Sequence, residues 1–411
     1  MSVRKVIFWL HLVAGLVAGA VIAVMSFTGA VIAFEDEIVE WAERDVRRIE
    51  APASATALPL DEILAKAREA APEGSRPSGI TVSRDPRDAV AVNFGRDGGV
   101  YYVNQYTGVV IKPASERTHD FMHLMVDWHR WLALSGDNRP LGKAVTGACN
   151  LAFLFLAVSG LWLWWPRAWN ARILRPSLWF VRGASGKARD WNWHNVIGFW
   201  SLPVLIVLTV SGSVIGYRWA GNLVYHLAGE TPPVQGAAPA ADYKIERPEG
   251  AKKLTYTEAL IHFQTEFPTW ETITLREGLP QRRAAPPAAT AAAPSTSATP
   301  APATQPASPP RTRGPQPYSA TIRESGRWYV AASTQAVLHP FTGELLDRTG
   351  YAEQSAGRQA RSWLRYLHTG QAFGWLGQLV AGLACVGGLL LVYTGFALSW
   401  RRFFPRCNPT G

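Results

Sequence analysis

The stretch that decides the fold is WLHLVAGLVAGAVIAVMSFTG, residues 9–29. It is an apolar segment with His11 near its start and the pair Thr28-Gly29 at its end. The segment WHNVIGFWSLPVLIVLTVSG, residues 193–212, repeats this arrangement with His194 and Ser211-Gly212. In both segments the hydroxyl residue follows the histidine at the same distance along the chain. The sequence therefore contains an internal repeat of an apolar, histidine-bearing segment.

A second pair of apolar segments ends in the same hydroxyl-glycine dipeptide. Upstream of each segment lies one more histidine, His129 in WHRWLAL and His368 in RYLHTG. Each segment also begins with a glycine at the position that the histidine has in the first pair. The matching positions are Gly142 with Ser159-Gly160, and Gly377 with Thr394-Gly395. Four histidines thus come as two pairs that the repeat relates.

Four segments are long and apolar enough to cross a bilayer, which takes about 20 apolar residues. The first has no small-residue cleavage site before its acidic end, so we predict an uncleaved anchor. The predicted organisation is: first span 1–34, outer segment 35–118, interfacial helix 119–140, second span 141–165, basic loop 166–192, third span 193–219, outer segment 220–358, interfacial helix and fourth span 359–400, and tail 401–411.

The formal net charge of +10 is distributed unevenly. Basic residues precede the first span, fill the loop 166–192 and follow the fourth span, whereas every acidic residue except Asp190 lies in the other loops. This is the positive-inside bias of membrane proteins. It predicts a lipid bilayer partner and no nucleic acid, with both termini cytoplasmic and the segments 35–140 and 220–372 outside.

Each outer segment is predicted to be a small α+β module. In both, a helical pattern precedes strands of alternating apolar residues, and an aromatic-Thr-Gly turn lies between two strands, at residues 106–108 and 341–343. An Ala/Pro/Thr/Ser tract at about residues 284–317 is predicted to be a disordered insertion. The predicted fold class is an α-helical membrane protein, a four-span bundle built as two parallel repeats with two small α+β modules.

The histidine pairs predict two haems. A parallel repeat sets His11 and His194 at one depth near the cytoplasm, and His129 and His368 at another near the outer face. Neutral imidazole is a suitable axial ligand for haem iron, and two imidazoles leave no position for oxygen. A single histidine in a membrane helix usually packs by hydrogen bonding, but the repeated pairing favours ligands. The predicted role is electron transfer one electron at a time.

Further residues have a functional and a structural interpretation. Gly15 and Gly198 let a flat macrocycle approach the backbone, or let helices pack closely. Arg130 and Arg365 are candidate partners of the outer haem's propionates, or interfacial arginines. His119 and His123 lie at i, i+4, a spacing that can bind a metal ion, but no third ligand is nearby and they are interpreted as surface residues. His226, His262 and His339 are interpreted as ordinary residues.

The motifs LHLVAGLVAG, FMHLMVDWHRWLALSG, GLWLWWPR and LHTGQAFGWLGQLVAG resemble the PepSY-associated transmembrane proteins of bacteria. The resemblance covers nearly all of the chain except the Pro/Ala tract. It implies two b-type haems, with axial ligands at the positions of His11, His129, His194 and His368. It also implies an inner-membrane, FoxB-like ferric-siderophore reductase acting in the periplasm. Some relatives carry a fused flavodoxin-like or ferredoxin-reductase domain that this chain does not have, so the donor stays open between quinol, reduced flavin and a partner protein.

Two other functions fit parts of the pattern. A PepSY-type regulatory or binding protein would have the outer modules but would not need paired membrane histidines. A haem-containing anchor would pass quinol electrons to a periplasmic oxidoreductase rather than to a ferric chelate. A permease is disfavoured, because no span carries a central acidic residue. The sequence identifies no catalytic residue, siderophore or oligomeric state.

Overall fold

The computed structural model describes residues 2–52, 56–111, 116–166, 168–233, 243, 245–279, 315–325 and 333–404. Most of the predicted disordered insertion, about 284–317, lies outside these residues. The helices are α1 (Val3–Ile32), α2 (Glu35–Arg47), α3 (Leu60–Ala70), α4 (Gly95–Gly98), α5 (Glu116–Trp131), α6 (Arg139–Trp164), α7 (Ala171–Leu178), α8 (Gly186–Gly216), α9 (Arg218–Leu227), α10 (Tyr256–Glu266), α11 (Ala356–His368) and α12 (Gly374–Phe403).

Four of these helices, α1, α6, α8 and α12, are long and apolar enough to cross a membrane, with mean hydropathies between 1.8 and 2.3. The prediction of four spans is therefore confirmed. The third begins at Gly186, within the segment 166–192 that was expected to be a loop, and α7 occupies another part of that segment. Asn170 explains the start of α7, since its side chain accepts a hydrogen bond from the backbone N–H of Ile173.

The four long helices pack in a ring in which α1 contacts α6 and α12, and α8 contacts the same two helices. Small residues bring these helices together. A Cβ atom at Gly19 would come within 2.6 Å of the Phe396 ring of α12, and one at Gly388 within 2.8 Å of the Ser26 hydroxyl of α1. Close backbone approach at small residues is the usual way in which helices associate in lipid.

The helices α5 and α11 lie outside the spans, and each ends in a tight turn before the next span. A Cβ atom at Gly142 would lie 2.1 Å from the last carbonyl oxygen of α5, and one at Gly377 would lie 2.2 Å from the Gly370 carbonyl oxygen. Only glycine fits at these two positions. The segment 119–140 is thus not one interfacial helix, because the chain turns after α5 through Leu132 and Ala133, both with positive φ.

The strands form one antiparallel sheet in the order β4-β3-β2-β1-β5-β6-β7-β8. They are β1 (Gly79–Ser83), β2 (Val90–Asn93), β3 (Val100–Val103), β4 (Val110–Ile111), β5 (Trp270–Glu277), β6 (Tyr318–Glu324), β7 (Ser333–Leu338) and β8 (Leu345–Thr349). The expectation of two modules needs correction here. The strands β1 and β5 pair from Ile80↔Leu275 to Ser83↔Thr272, so the two outer segments share a single sheet whose order is mirrored about that pair.

The core of this outer domain lies between the sheet and the helices α3 and α10. Leu64 and Phe263, one from each helix, are fully buried with Ile273 of the sheet. A polar link also joins the two helices, because the Asp61 carboxylate accepts hydrogen bonds from the Thr257 hydroxyl at 2.6 Å and from the backbone N–H groups at Tyr256 and Thr257. The two outer segments therefore fold around a common core.

Candidate functional site

The four predicted histidines lie at two places in the helical bundle. The rings of His129 and His368 face each other, with centroids 6.3 Å apart and an interplanar angle of 60°. His11 and His194 line one cavity of about 680 Å³ between the long helices. That volume is within the range of about 300–1,000 Å³ that is typical of ligand and cofactor sites. The structure thus brings together the two pairs that the repeat predicts.

At the outer pair, each histidine belongs to a helix outside the spans, and its side chain forms hydrogen bonds with a spanning helix. His129 Nδ1 lies 3.1 Å from the Thr28 hydroxyl and 3.0 Å from the Met25 carbonyl oxygen, both in α1. His368 Nδ1 lies 3.1 Å from the Ser211 hydroxyl and 2.9 Å from the Leu208 carbonyl oxygen, both in α8. A carbonyl oxygen only accepts, so each Nδ1 carries the proton and donates it.

At the inner pair, each histidine is part of a spanning helix and bonds the neighbouring span. His11 Nδ1 of α1 lies 2.8 Å from the Ser159 hydroxyl of α6. His194 Nδ1 of α8 lies 2.9 Å from the Thr394 hydroxyl of α12. The four partners are the hydroxyl residues of the four repeated hydroxyl-glycine dipeptides.

The direction of these hydrogen bonds follows from a second contact. Each of the four hydroxyls donates to the carbonyl oxygen four residues earlier in its own helix, at 2.6 to 2.7 Å. Its proton is therefore engaged, and its lone pair accepts from the imidazole Nδ1–H. This fixes all four histidines in the tautomer with a lone pair on Nε2, the form that binds a metal ion.

The glycine of each dipeptide makes room for the imidazole ring. A Cβ atom would lie 3.2 Å from His129 Cε1 if it were added at Gly29, and 3.1 Å from His368 Cε1 if it were added at Gly212. The corresponding distances at the inner pair, from Gly160 and Gly395, are 3.4 and 3.7 Å. The hydroxyl orients the ring at all four sites. The glycine gives needed space at the outer pair, whereas the distances at the inner pair are ordinary van der Waals contacts.

The two pairs lie at different depths. His11 and Thr28, which contacts the outer pair, are both in α1, and Thr28 follows His11 at position i+17. An α-helix rises 1.5 Å per residue, so the two levels are roughly 25 Å apart. The same spacing separates His194 from Ser211 in α8. This distance is comparable with the apolar thickness of a bilayer.

The outer pair fits a metal ion held between two neutral imidazoles. An iron bound about 2 Å from each facing nitrogen would keep the ring centres roughly 6 Å apart, which agrees with the 6.3 Å observed. Burial, together with the charge of His368, lowers the pKa of His129 to about 4, and burial also lowers the pKa of His368. Both imidazoles therefore stay neutral at physiological pH, as axial ligands must.

Three arginines lie close to one another next to His129 of the outer pair. The guanidinium of Arg130 lies 4.6 Å from the centre of the Trp131 ring, and that of Arg139 lies 3.6 Å from it. Burial first, and then the charges of Arg139 and Arg365, lower the pKa of Arg130. Arg130 and Arg365, the two predicted propionate partners, are thus close enough to repel each other, and Arg139 is a member of the group that the sequence did not identify.

The inner cavity has basic residues at one end, which were also not identified as part of a site. Arg4 and Lys5 of α1, Lys187 of α8 and Arg402 of α12 line it, and its described lining contains no acidic side chain. Arg402 stacks over the ring of Trp9 at 5.1 Å. In the sequence these cations contribute only to the positive-inside bias, since their convergence on one cavity depends on how the helices pack.

The other histidines have structural contacts. His119 was interpreted as a surface residue, but its Nε2 lies 2.6 Å from the buried carboxylate of Glu43, which also accepts from the Tyr102 hydroxyl at 2.7 Å. His339 Nδ1 accepts from the backbone N–H groups at Phe341 and Thr342 and shapes that turn. His119 therefore joins α5 to α2 and the sheet.

Two comparisons with known proteins bear on this site. A family model described as the PepSY-associated TM region matches residues 8–402, which includes all four histidines and all four hydroxyl-glycine dipeptides. No curated protein matches the chain.

Proposed function

We propose that this chain, which belongs to the PepSY-associated transmembrane family, holds two b-type haems and carries electrons across the membrane to ferric siderophores. One observation carries the proposal. All four histidines are hydrogen-bonded through Nδ1 to a hydroxyl of a spanning helix, and the tautomer that follows has its lone pair on Nε2. Two such imidazoles at each of two depths suit two haem irons.

The residues of the chain have defined roles in this proposal. His11 and His194 hold the inner haem, and His129 and His368 hold the outer one. The hydroxyl partners orient each imidazole and fix its tautomer, as the outer hydrogen bonds of metal-binding histidines do. When bound, b-type haem supplies the exchange of one electron at a time. With an imidazole on both faces, the chain leaves no axial position for oxygen.

Arginines complete the outer site. Arg130 and Arg365, with Arg139 close to Arg130, would bind the propionates of the outer haem through charge-assisted hydrogen bonds. Asp127 lies 3.7 Å from Arg139 and offsets part of the repulsion between the guanidiniums, and the two propionates would offset more of it. This is a reason for three cations to gather beside two buried histidines.

The internal repeat supports the equal depth of each pair. The strand order of the outer sheet is mirrored about β1 and β5, and α5 and α11 contact α1 and α8 in the same way. Both features fit two parallel repeats around an axis along the membrane normal. Such an axis places His11 opposite His194 and His129 opposite His368.

The orientation follows from charge. The inner cavity ends among Arg4, Lys5, Lys187 and Arg402, and the positive-inside rule assigns that end to the cytoplasm of a bacterial inner membrane. Both termini are then cytoplasmic and the sheet is periplasmic. Arg175→Cys and Thr107→Cys, in a background without the native cysteines, test this with an impermeant thiol reagent on intact cells. We expect labelling at position 107 alone, and labelling at 175 alone would reverse the topology.

The proposed reaction is a one-electron reduction of the chelated iron. Siderophore oxygens are hard ligands that hold Fe(III) tightly and hold Fe(II) far less well. A single electron therefore releases the iron without destruction of the chelator. The outer haem site, next to the periplasmic domain, is the place at which the electron leaves the protein.

The test is a haem count and a reduction assay on the purified protein. We expect two haems per chain, a reduced-minus-oxidised spectrum of six-coordinate b-type haem, and formation of Fe(II) from a ferric siderophore when the reduced protein is mixed with it under anaerobic conditions. Reducible haem without chelate reduction would favour an anchor for a periplasmic oxidoreductase. A protein that folds without haem would contradict the proposal and favour a regulatory role.

A further inference from the structure

The inner cavity has more positive charge than a haem can neutralise. Four cations line it, no acidic side chain is present in its described lining, and a haem has two propionate groups. Two positive charges remain when both propionates are bound. Among the described residues neither Lys5 nor Lys187 forms an ion pair, and both lysines are exposed. A cavity end with excess charge of one sign concentrates small ions of the opposite sign.

The four cations are not equivalent. Arg4 donates a hydrogen bond to the Leu163 carbonyl oxygen at 2.6 Å, so it is tied to the end of α6. Arg402 lies over the Phe8 and Trp9 rings, at 4.9 and 5.1 Å from their centres. The ammonium groups of Lys5 and Lys187 have no such contacts among the described residues. The two lysines are therefore the charges available to an incoming anion.

We infer that the electron donor is a small phosphate-bearing reduced flavin, which the Lys5 and Lys187 side chains recognise at the cytoplasmic end of the inner cavity. The inference rests on the proposed function, and among the small-molecule donors that the sequence leaves open it favours reduced flavin over quinol. A quinol is uncharged and would gain nothing from the lysines. A reduced nicotinamide transfers a hydride, whereas a haem iron with two axial histidines accepts single electrons.

The reaction balances. The anionic hydroquinone of the flavin gives up two electrons, one at a time, and one proton, and becomes the oxidised flavin. The two haems that the four histidines would hold would take one electron each, so the two electrons would reduce two ferric chelates. The lysines take no part in the transfer of electrons, because they hold the phosphate and so keep the flavin ring near the inner haem.

Flavin mononucleotide and riboflavin share one ring and differ in the phosphate, so they form a matched pair of probes. We expect the oxidised mononucleotide to bind the purified protein on the order of tenfold more tightly than riboflavin at low salt. The reduced forms should differ by a similar factor in the rate at which they reduce the inner haem in anaerobic stopped flow. Both differences should vanish as salt screens the charges. Equal binding of the two flavins at low salt would overturn the inference.

Substitutions at Lys5 and Lys187 test whether these two side chains cause the preference for the mononucleotide. Lys5→Gln with Lys187→Gln should weaken the binding of the mononucleotide to the level of riboflavin, and should leave riboflavin unchanged. The same two positions changed to arginine should keep the preference. Arg175→Gln removes a cation of α7 that does not line the cavity, and should have no effect. A loss of the preference with Arg175→Gln as large as with the lysine pair would show a diffuse charge effect and contradict the site.

Lipid headgroups carry the same phosphate chemistry. The binding assay is therefore run in bilayer discs of neutral phosphatidylcholine and of anionic phosphatidylglycerol. A preference for the mononucleotide in both supports the donor site, whereas a preference that disappears with the anionic lipid assigns the lysines to headgroups. The binding assay, unlike the stopped-flow assay, does not need haem, so a haem-free protein would refute the proposed function while the binding result would still decide whether the lysines hold the flavin phosphate.

Discussion

The inner and outer histidine pairs have the same tautomer, but the helices that carry the histidines and the groups that bond them differ. His11 and His194 belong to spanning helices, and each bonds the next span. His129 and His368 belong to helices outside the spans, and each bonds back to a span through a hydroxyl and a carbonyl oxygen. The inner site is therefore a property of the four-helix bundle alone. The outer site also needs the turns that bring α5 and α11 onto it.

The largest expected difference between the two sites comes from the turn after α5. Gly142→Val would place a side chain against the last carbonyl oxygen of α5, 2.1 Å from the Cβ position, so α5 cannot pack as it does. We expect the outer haem to be lost and the inner haem to remain, measured as a fall from two haems per chain to one. Gly216→Val, in open space at the end of α8, is the matched control. Loss of both haems in Gly142→Val alone would show that the two sites fold as one unit.

Removal of a hydroxyl should affect His11 of the inner site more than His368 of the outer one, since His368 has a backbone acceptor and so does His194, which bonds Leu391. Ser159→Ala takes away the hydrogen-bond acceptor of His11 Nδ1, whereas Ser211→Ala leaves His368 Nδ1 its bond to the Leu208 carbonyl oxygen. Loss of such a partner typically costs 10–100-fold in metal affinity. We expect about that loss of haem affinity for Ser159→Ala and less than about tenfold for Ser211→Ala. Haem transfer to an apoprotein acceptor measures both, and equal losses would contradict the difference in construction.

The smallest effect is expected at the link between the two outer segments. Burial alone would raise the pKa of Asp61, but hydrogen bonds from Thr257 and Tyr256 lower it overall. A lowered carboxyl pKa contributes stability above its ordinary value near 4, and that stability is lost as the pH falls through the folded-state pKa. Asp61→Asn should lower the free energy of unfolding of the outer domain by about 1–2 kcal/mol.

The measurement for Asp61→Asn is thermal unfolding followed by the near-ultraviolet signal of the outer domain. The spectrum of the inner haem should stay as it is in the unchanged protein. Because the wild-type stabilisation disappears in acid, the difference between wild type and variant should shrink below about pH 4. A variant as stable as the wild type at pH 7 would show that the link does not stabilise the domain.

The sequence predicted the spans and the histidine pairs because both depend on patterns within the chain. Hydropathy identifies apolar helices of sufficient length, and the repeat relates His11 to His194 without any structure. The repeat also contained the hydroxyl-glycine dipeptides, but their role depends on packing. His11 and Ser159 are in contact only because α1 and α6 lie side by side.

Other features could not be predicted for the same reason. Nothing in the sequence of β1 or β5 shows that these two strands pair with each other. Two separate modules were therefore expected where the structure has one shared sheet. The basic ends of the spans indicated topology, but their position around one cavity depends on the packing of α1, α8 and α12. His119 was interpreted as a surface residue because no third metal ligand lies near it in the sequence. Its partner Glu43 belongs to α2, which is distant in the sequence.

The central claim is that four histidines hold two haems in the pairs His11 with His194 and His129 with His368. Low-temperature optical and electron paramagnetic resonance spectra of the four purified single histidine-to-alanine variants test it most directly. We predict one shared spectral loss for His129→Ala and His368→Ala, and a different shared loss for His11→Ala and His194→Ala, with the other haem six-coordinate in every variant. Loss of the same haem in His11→Ala and His129→Ala, or full haem content in all four variants, would contradict the account.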